Sequence, residues 1–279
     1  MTTEVFAPAK VNLTLHVTGR RDDGYHLLDS LVVFAGVGDR LRLTPAPATT
    51  LTVGGPFAAG VPSNGSNLIL RAAALMQGPP VAIHLDKCLP PASGIGGGSA
   101  DAAATLRALR GMGWQARPDL DAAVLRLGAD VPVCLAGHPC RMEGIGERLS
   151  PAPALPPCWL VLVNPGCPVP TGPVFAAMQG RFGPGMGELP DRFDDATDLS
   201  RWLAAQRNDL QPPALTLVPP VADALSALTR LPGCLLARMS GSGGTCFGMF
   251  AKEPAARAGA AQISAAEPGW WAAAAPVLA

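Results

Sequence analysis

The stretch that most constrains this chain runs Pro90-Pro-Ala-Ser-Gly-Ile-Gly-Gly-Gly-Ser-Ala-Asp-Ala-Ala-Ala104. Gly94, Gly96, Gly97 and Gly98 lead into Ser99, and an alanine-rich segment follows. Backbone N–H groups in such a stretch can turn toward a ligand and approach it closely. Ser99 is a good N-cap residue, so a helix is predicted from about Ala100 to Arg110. A helix start beneath a row of N–H donors suits phosphate. Residues 90–100 are therefore expected to cradle the phosphates of a nucleotide. The bland alternative is a flexible turn in a chain with 32 glycines. Spacing excludes two familiar phosphate motifs. The dinucleotide fingerprint needs a third glycine where Ser99 stands, and the P-loop needs Gly-Lys, which occurs nowhere in the chain.

At 279 residues, 48% hydrophobic and 15% charged, the chain can bury a substantial core in two modest domains. Lys+Arg 21 balance Asp+Glu 21, so nothing favours nucleic acid or an anionic membrane as a partner. No apolar run approaches the ~20 residues a bilayer span requires, and the N-terminus does not read as a signal peptide. The seven cysteines lack Cys-x-x-Cys spacing, which argues against zinc and fits free thiols in a reducing cytoplasm. Only Lys10, Lys87 and Lys252 are lysines, so the other 18 of 21 basic residues are arginine. A compact ammonium differs from a planar fork, so these lysines are candidates for places where arginine will not do, the alternative being chance survival, above all for Lys252. Tyr25 is the only tyrosine.

Taken in order, residues 11–17 alternate apolar and polar, which predicts a half-buried strand with Lys10, Asn12, Thr14 and His16 on its polar face. A turn at 19–24 precedes Tyr25, His26 and an apolar run to Phe34, and a second turn is expected at Gly36–Asp39. Strands are predicted at 40–44, 50–53 and 81–86, with a helix capped by Ser66 between the last two. Beyond the glycine stretch, a helix is expected over Pro118–Leu127, closed by Gly128, and Asp130 stands just before a proline that can open another. The proline-rich run at 150–157 marks a boundary, giving domains 1–152 and 153–279. In the second half, strands are expected at 159–163, 234–239 and 246–250 and helices at 171–178, 198–206, 219–230 and 253–265. Residues 180–197 read as a mobile surface loop. The alternation suggests an α+β fold with an open sheet. Ser240-Gly-Ser-Gly-Gly-Thr245 fails the nucleophile-elbow pattern, because Ser240 replaces the first glycine.

Pro8-Ala-Lys-Val-Asn-Leu13, the 90–104 stretch and Met239-Ser-Gly-Ser-Gly-Gly-Thr-Cys246 together resemble the GHMP kinase superfamily. Gly19-Arg-Arg-Asp-Asp-Gly-Tyr-His26, Leu127-Gly-Ala-Asp-Val-Pro-Val133 and Asn208-Asp209 resemble one branch of it, which phosphorylates a cytidine-diphosphate-linked methylerythritol. The resemblance implies a ribosomal-S5-domain-2-like N-terminal domain and a ferredoxin-like C-terminal domain. It implies ATP with Mg²⁺ as co-substrate and no prosthetic group. Asp130 would be the general base and Lys10 its partner. Pro90, Pro91, Ala92, Ser93, Gly94, Ile95, Gly96, Gly97, Gly98, Ser99 and Ala100 would hold the triphosphate. Asn67 and Lys87 would lie near the adenosine end. Asn12, Tyr25, His26, Thr171 and Phe175 would meet the cytidine-linked substrate, with Tyr25 and Phe175 sandwiching the base. Relatives carry two serines where this chain has Ser99-Ala100, so a second hydroxyl is missing and no protein ligand for Mg²⁺ follows.

The expected assembly is a monomer or homodimer in the cytoplasm. Other readings are a homoserine or mevalonate kinase, a diphosphomevalonate decarboxylase, or a non-catalytic nucleotide-binding protein. The last would tolerate loss of Lys10 or Asp130, and both are present.

Overall fold

The computed structural model describes residues 2–279. The chain opens with strands β1 (Thr3–Asn12), β2 (His16–Arg20), β3 (His26–Pro45) and β4 (Thr50–Gly54). Helix α1 (Leu68–Ala73), β5 (Met76–Gln77), β6 (Val81–Asp86), α2 (Gly97–Gly111) and β7 (Gln115–Ala116) follow. Then come α3 (Leu120–Leu127), α4 (Val131–Ala136), β8 (Cys140–Gly144), β9 (Arg148–Pro151) and β10 (Trp159–Asn164). The remainder is α5 (Thr171–Ala177), α6 (Ala196–Ala204), α7 (Gln211–Leu217), α8 (Pro220–Thr229), β11 (Leu236–Met239), β12 (Cys246–Phe250), α9 (Glu253–Ala266) and β13 (Trp271–Leu278).

Two compact units share these elements. The first comprises Met1–Lys10, Gly38–Pro91 and Gly96–Gly137. In it the later part of β3 pairs antiparallel with β6, and β6 pairs parallel with β4. Val81, Ile83 and Leu85 alternate into the core, as a period of two requires. The apolar positions of α2 (Ala103, Leu106, Leu109) and of α1 (Ile69, Ala72) are buried with them.

The second unit comprises Val11–Val37, Ala92–Ile95 and His138–Ala279. Here the early part of β3 lies between β2 and β8, both antiparallel to it. A further set of antiparallel pairings runs β11, β12, β10, β13. Val161, Val163, Val221, Leu228, Phe250 and Ile263 form its buried cluster.

Several expectations change on inspection. Gly36–Asp39 is no turn, because β3 runs through it unbroken. Gly38 is there for a close approach: a Cβ would collide with the backbone of Ala7. Residues 10–17 are not half-buried, because every one of them is buried. Their polar face is covered by protein and satisfied there: Asn12 donates to Ser30 Oγ at 2.8 Å, and Thr14 Oγ1 accepts the Leu31 N–H at 2.8 Å. Asn67, not Ser66, caps α1, its side chain accepting the Ile69 N–H at 2.9 Å. The open sheet of the second half is antiparallel, and its last strand, β13, is not expected from the sequence. β10, β12 and β13 pair antiparallel, and the alanine-rich β13 carries no strand-like composition.

Candidate active site

One cluster lies wholly within the first unit. Lys10, near the end of β1, is 3% exposed, and its Nζ stands 3.0 Å from Asp130 Oδ2. Asp130 occupies the N-cap position of α4 but makes no capping bond, so its carboxylate is turned to the lysine instead. Its side chain is 34% exposed, whereas Lys10 is buried. Beside the pair, Gly96 adopts φ 64 and opens α2. A side chain there would be strained, and its Cβ would stand 3.2 Å from Lys10 Cε. The helix begins at Gly97 rather than at Ala100, and Ser99 lies inside its first turn instead of capping it. The glycines themselves make the helix entry, and the Ala100 N–H closes the first turn on Gly96 O at 2.8 Å. The N–H groups of Gly97, Gly98 and Ser99 have no intrahelical acceptor at this positive helix end. An ammonium beside that end makes a site for anionic oxygen.

Lys87 is placed by a buried triad. Its Nζ donates to Asp39 Oδ2 at 2.5 Å and to Asp101 Oδ2 at 2.9 Å. Burial works to strip the Lys87 charge, but the two carboxylates outweigh it and hold its pKa above the ordinary lysine value. One ammonium cannot offset two buried carboxylates. Burial pushes the Asp101 carboxyl up to about 7, with Asp39 adding to the rise and Lys87 opposing it. Asp39 Oδ1 also accepts the N–H groups of Cys88 at 2.6 Å and Leu89 at 2.8 Å. Asp39 therefore fixes the chain entering the glycine stretch as well as Lys87.

A separate cluster lies within the second unit. Ser240 Oγ donates to Gly94 O at 3.1 Å and accepts the Asn12 N–H at 3.1 Å, so the two glycine-rich loops are laced together through β1. Asn208 donates to Met239 O at 2.8 Å and Gly241 O at 2.9 Å, bracing the same loop. Thr171 and Ser242 share a hydroxyl contact of 2.8 Å. His26 and Phe175 stack with ring centroids 4.4 Å apart and planes 23° apart, and Phe182 meets His26 edge-on at 6.1 Å. Burial, with Arg20 nearby, lowers the His26 pKa, which favours the neutral, stackable ring.

The structure thus pairs Lys10 with Asp130 and joins Gly94 to the 240–244 loop. His26 is brought to Phe175, while Tyr25 stands 58% exposed. Asn67 is occupied as a helix cap and donates to Pro62 O at 2.6 Å. Asp39, Asp101 and Phe182 are neighbours that sequence reasoning did not find. Asp101 had a signal, being the one acidic residue in the Ala-rich helix, whereas Asp39 and Phe182 belong to no motif. Among the described residues no group of three His, Cys, Asp or Glu could hold a metal ion, and all seven cysteines are free thiols. No helix of the described residues is long and apolar enough to cross a membrane.

Residues 67–140 match the family described as GHMP kinases N terminal domain, and residues 192–268 match GHMP kinases C terminal. Fold and site together define a small-molecule kinase of the GHMP type. Two relatives named 4-diphosphocytidyl-2-C-methyl-D-erythritol kinase extend along nearly the whole chain. That of Cereibacter sphaeroides is 61% identical over 271 residues, covering 96% of this chain and 97% of its own. That of Paramagnetospirillum magneticum is 56% identical over 280 residues, covering 98% and 97%. A crystal structure of 4-(cytidine 5'-diphospho)-2C-methyl-D-erythritol kinase superposes with a TM-score of 0.77 at 35% identity, covering 99% of this chain and 100% of its own. The chain belongs to the family of 4-diphosphocytidyl-2-C-methyl-D-erythritol kinases.

Proposed function

We infer that this enzyme transfers the γ-phosphoryl group of ATP to the 2-hydroxyl of 4-diphosphocytidyl-2-C-methyl-D-erythritol, a step toward isoprenoid precursors. The observation that carries the chemistry is the Lys10–Asp130 pair, 3.0 Å apart and set against Gly96 of the glycine stretch. Phosphoryl transfer has a loose transition state, so catalysis is mainly positioning and charge stabilisation. The alcohol oxygen attacks the γ-phosphorus, the β–γ bridging P–O bond breaks, and the alcohol proton passes to Asp130. Lys10 keeps the carboxylate oriented and stabilises charge developing on the attacking oxygen. The N–H groups at the start of α2 receive phosphate oxygens. Lys87, fixed by Asp39 and Asp101, holds the chain that enters the glycine stretch on the nucleotide side. Asn67 holds the α1 entry there.

On the substrate side, His26 and Phe175 supply an aromatic surface for the cytosine, with Tyr25 exposed beside them to close on the base. Asn12 and Thr171 orient the substrate's polar groups. The donor set does not fit a protein-held Mg²⁺: Ala100 replaces a hydroxyl and Asp130 is engaged by Lys10. The ion is proposed to arrive with the ATP phosphates, which it neutralises. Free thiols fit a reducing, cytoplasmic setting.

The test is ADP release by purified protein with Mg·ATP. The cytidine-diphosphate substrate should support turnover, whereas methylerythritol phosphate, homoserine and mevalonate should not. Turnover with one of the latter instead would discard the cytidine assignment and keep the Lys10–Asp130 chemistry.

A further inference from the structure

Residues 179–195, between α5 and α6, have no regular structure, yet they are tied down over residues 183–187. The Gly183 N–H reaches Val17 O at 3.1 Å, and Arg207 Nη2 reaches Pro184 O at 2.8 Å. Met186 is buried, and its N–H donates to Asp29 Oδ2 at 2.8 Å. Arg141 Nη1 donates to Gly187 O at 2.7 Å. Asp29 and Arg141 are themselves a two-pronged pair, with Nε to Oδ1 at 2.8 Å and Nη2 to Oδ2 at 2.7 Å. They sit on the adjacent strands β3 and β8, where Arg141 faces Leu31. One buried carboxylate, 4% exposed, thus serves both the strand pair and the backbone of the segment. Gly185 passes so close that a Cβ would run into Asp29 Oδ2.

This segment carries Phe182 against His26 and continues directly from the helix that stacks Phe175 on the same ring. Asp29 lies three residues along β3 from His26. A buried ion pair adds little stability over an apolar pair of the same shape, but its bidentate geometry fixes position. We infer that Asp29 and Arg141 are positioning residues that set specificity for the cytidine half of the substrate, by holding residues 179–195 in the path that presents Phe182 and Phe175 to His26. The inference rests on the reading of His26 and Phe175 as the base site.

Gly185→Ala tests it, because its Cβ would meet Asp29 Oδ2 and so push the segment off the Asp29–Arg141 pair. Arg141→Lys is the second variant: it keeps the charge and loses the fork. The readouts are calorimetric binding of CDP and of a non-hydrolysable ATP analogue, KM for each substrate, and the rate of tryptic cutting at Arg181 and Arg192. For Gly185→Ala we expect CDP affinity to fall about tenfold, with KM for the cytidine substrate rising in step. Affinity for the ATP analogue should stay within about twofold, and cutting should accelerate. Arg141→Lys should move the same quantities in the same direction, by less. Faster cutting with unchanged CDP affinity would overturn the inference, as would equal losses for CDP and ATP. A wild-type chain that does not bind CDP, yet turns over another alcohol, would overturn the base-site assignment instead. The proteolysis difference would survive that result.

Discussion

Asp101→Asn should stabilise the protein above about pH 7, through a difference that builds up between about pH 4 and pH 7 and then levels off. The Asp101 carboxyl is held at about 7 in the fold against an ordinary 3.8, because burial disfavours its charge. An acid whose folded pKa is raised favours the fold fully below its unfolded value. That contribution is lost as pH climbs from about 4 to about 7. At 1.36 kcal/mol for each tenfold step, the ionised group costs about 4 kcal/mol above pH 7. Asparagine imitates the protonated acid: its oxygen can still accept from Lys87. Its amide would then take the place of Asp101 Oδ1, which has no hydrogen-bond partner, at a cost of about 1–3 kcal/mol. The net gain at pH 8 is therefore about 1–3 kcal/mol. The difference between the two proteins should grow by about 3 kcal/mol from pH 5 to pH 8, a figure in which the fixed hydrogen-bond cost cancels. Urea unfolding at both pH values measures it directly. A difference that stays flat with pH, or one that turns against the variant at pH 8, would refute the claim that one ammonium is shared by two buried carboxylates.

Three further outcomes are expected. Lys10→Arg should lower kcat by about a hundredfold or more in a coupled ADP assay, because a planar fork cannot take the place of a compact ammonium 3.0 Å from Asp130; wild-type kcat would remove Lys10 from the chemistry. Gly96→Ala should raise KM for ATP by about tenfold, since it forces a side chain into φ 64 at the start of α2; the KM for the cytidine substrate should move far less. Phe175→Ala should raise the KM for the cytidine substrate by about tenfold with little change for ATP, given stacking worth about 1–3 kcal/mol per base, and equal effects on both would argue against a base site at His26.

The sequence determined what depends on local pattern and on residue type. Gly94 and Gly96 take φ 75 and 64, a backbone that favours glycine, so the glycine-made entry to α2 was legible before any contact was known. The same holds for most strands with clean alternation, such as β6, and for helices with proline at the start, such as α9. Lys10 and Asp130 were legible only as members of resembling segments, because 120 positions separate them and no local rule joins them. The tertiary structure decided which partners neutralise which charges. It turned Asp130 away from the helix it could cap and toward Lys10, shared Lys87 between Asp39 and Asp101, and covered a polar strand face that alternation assigned to water. It also made residues 179–195, polar and glycine-rich in sequence, a braced segment through the carboxylate of Asp29. Periodicity reports how often a residue faces inward, whereas burial and charge pairing depend on what the rest of the chain brings to that face.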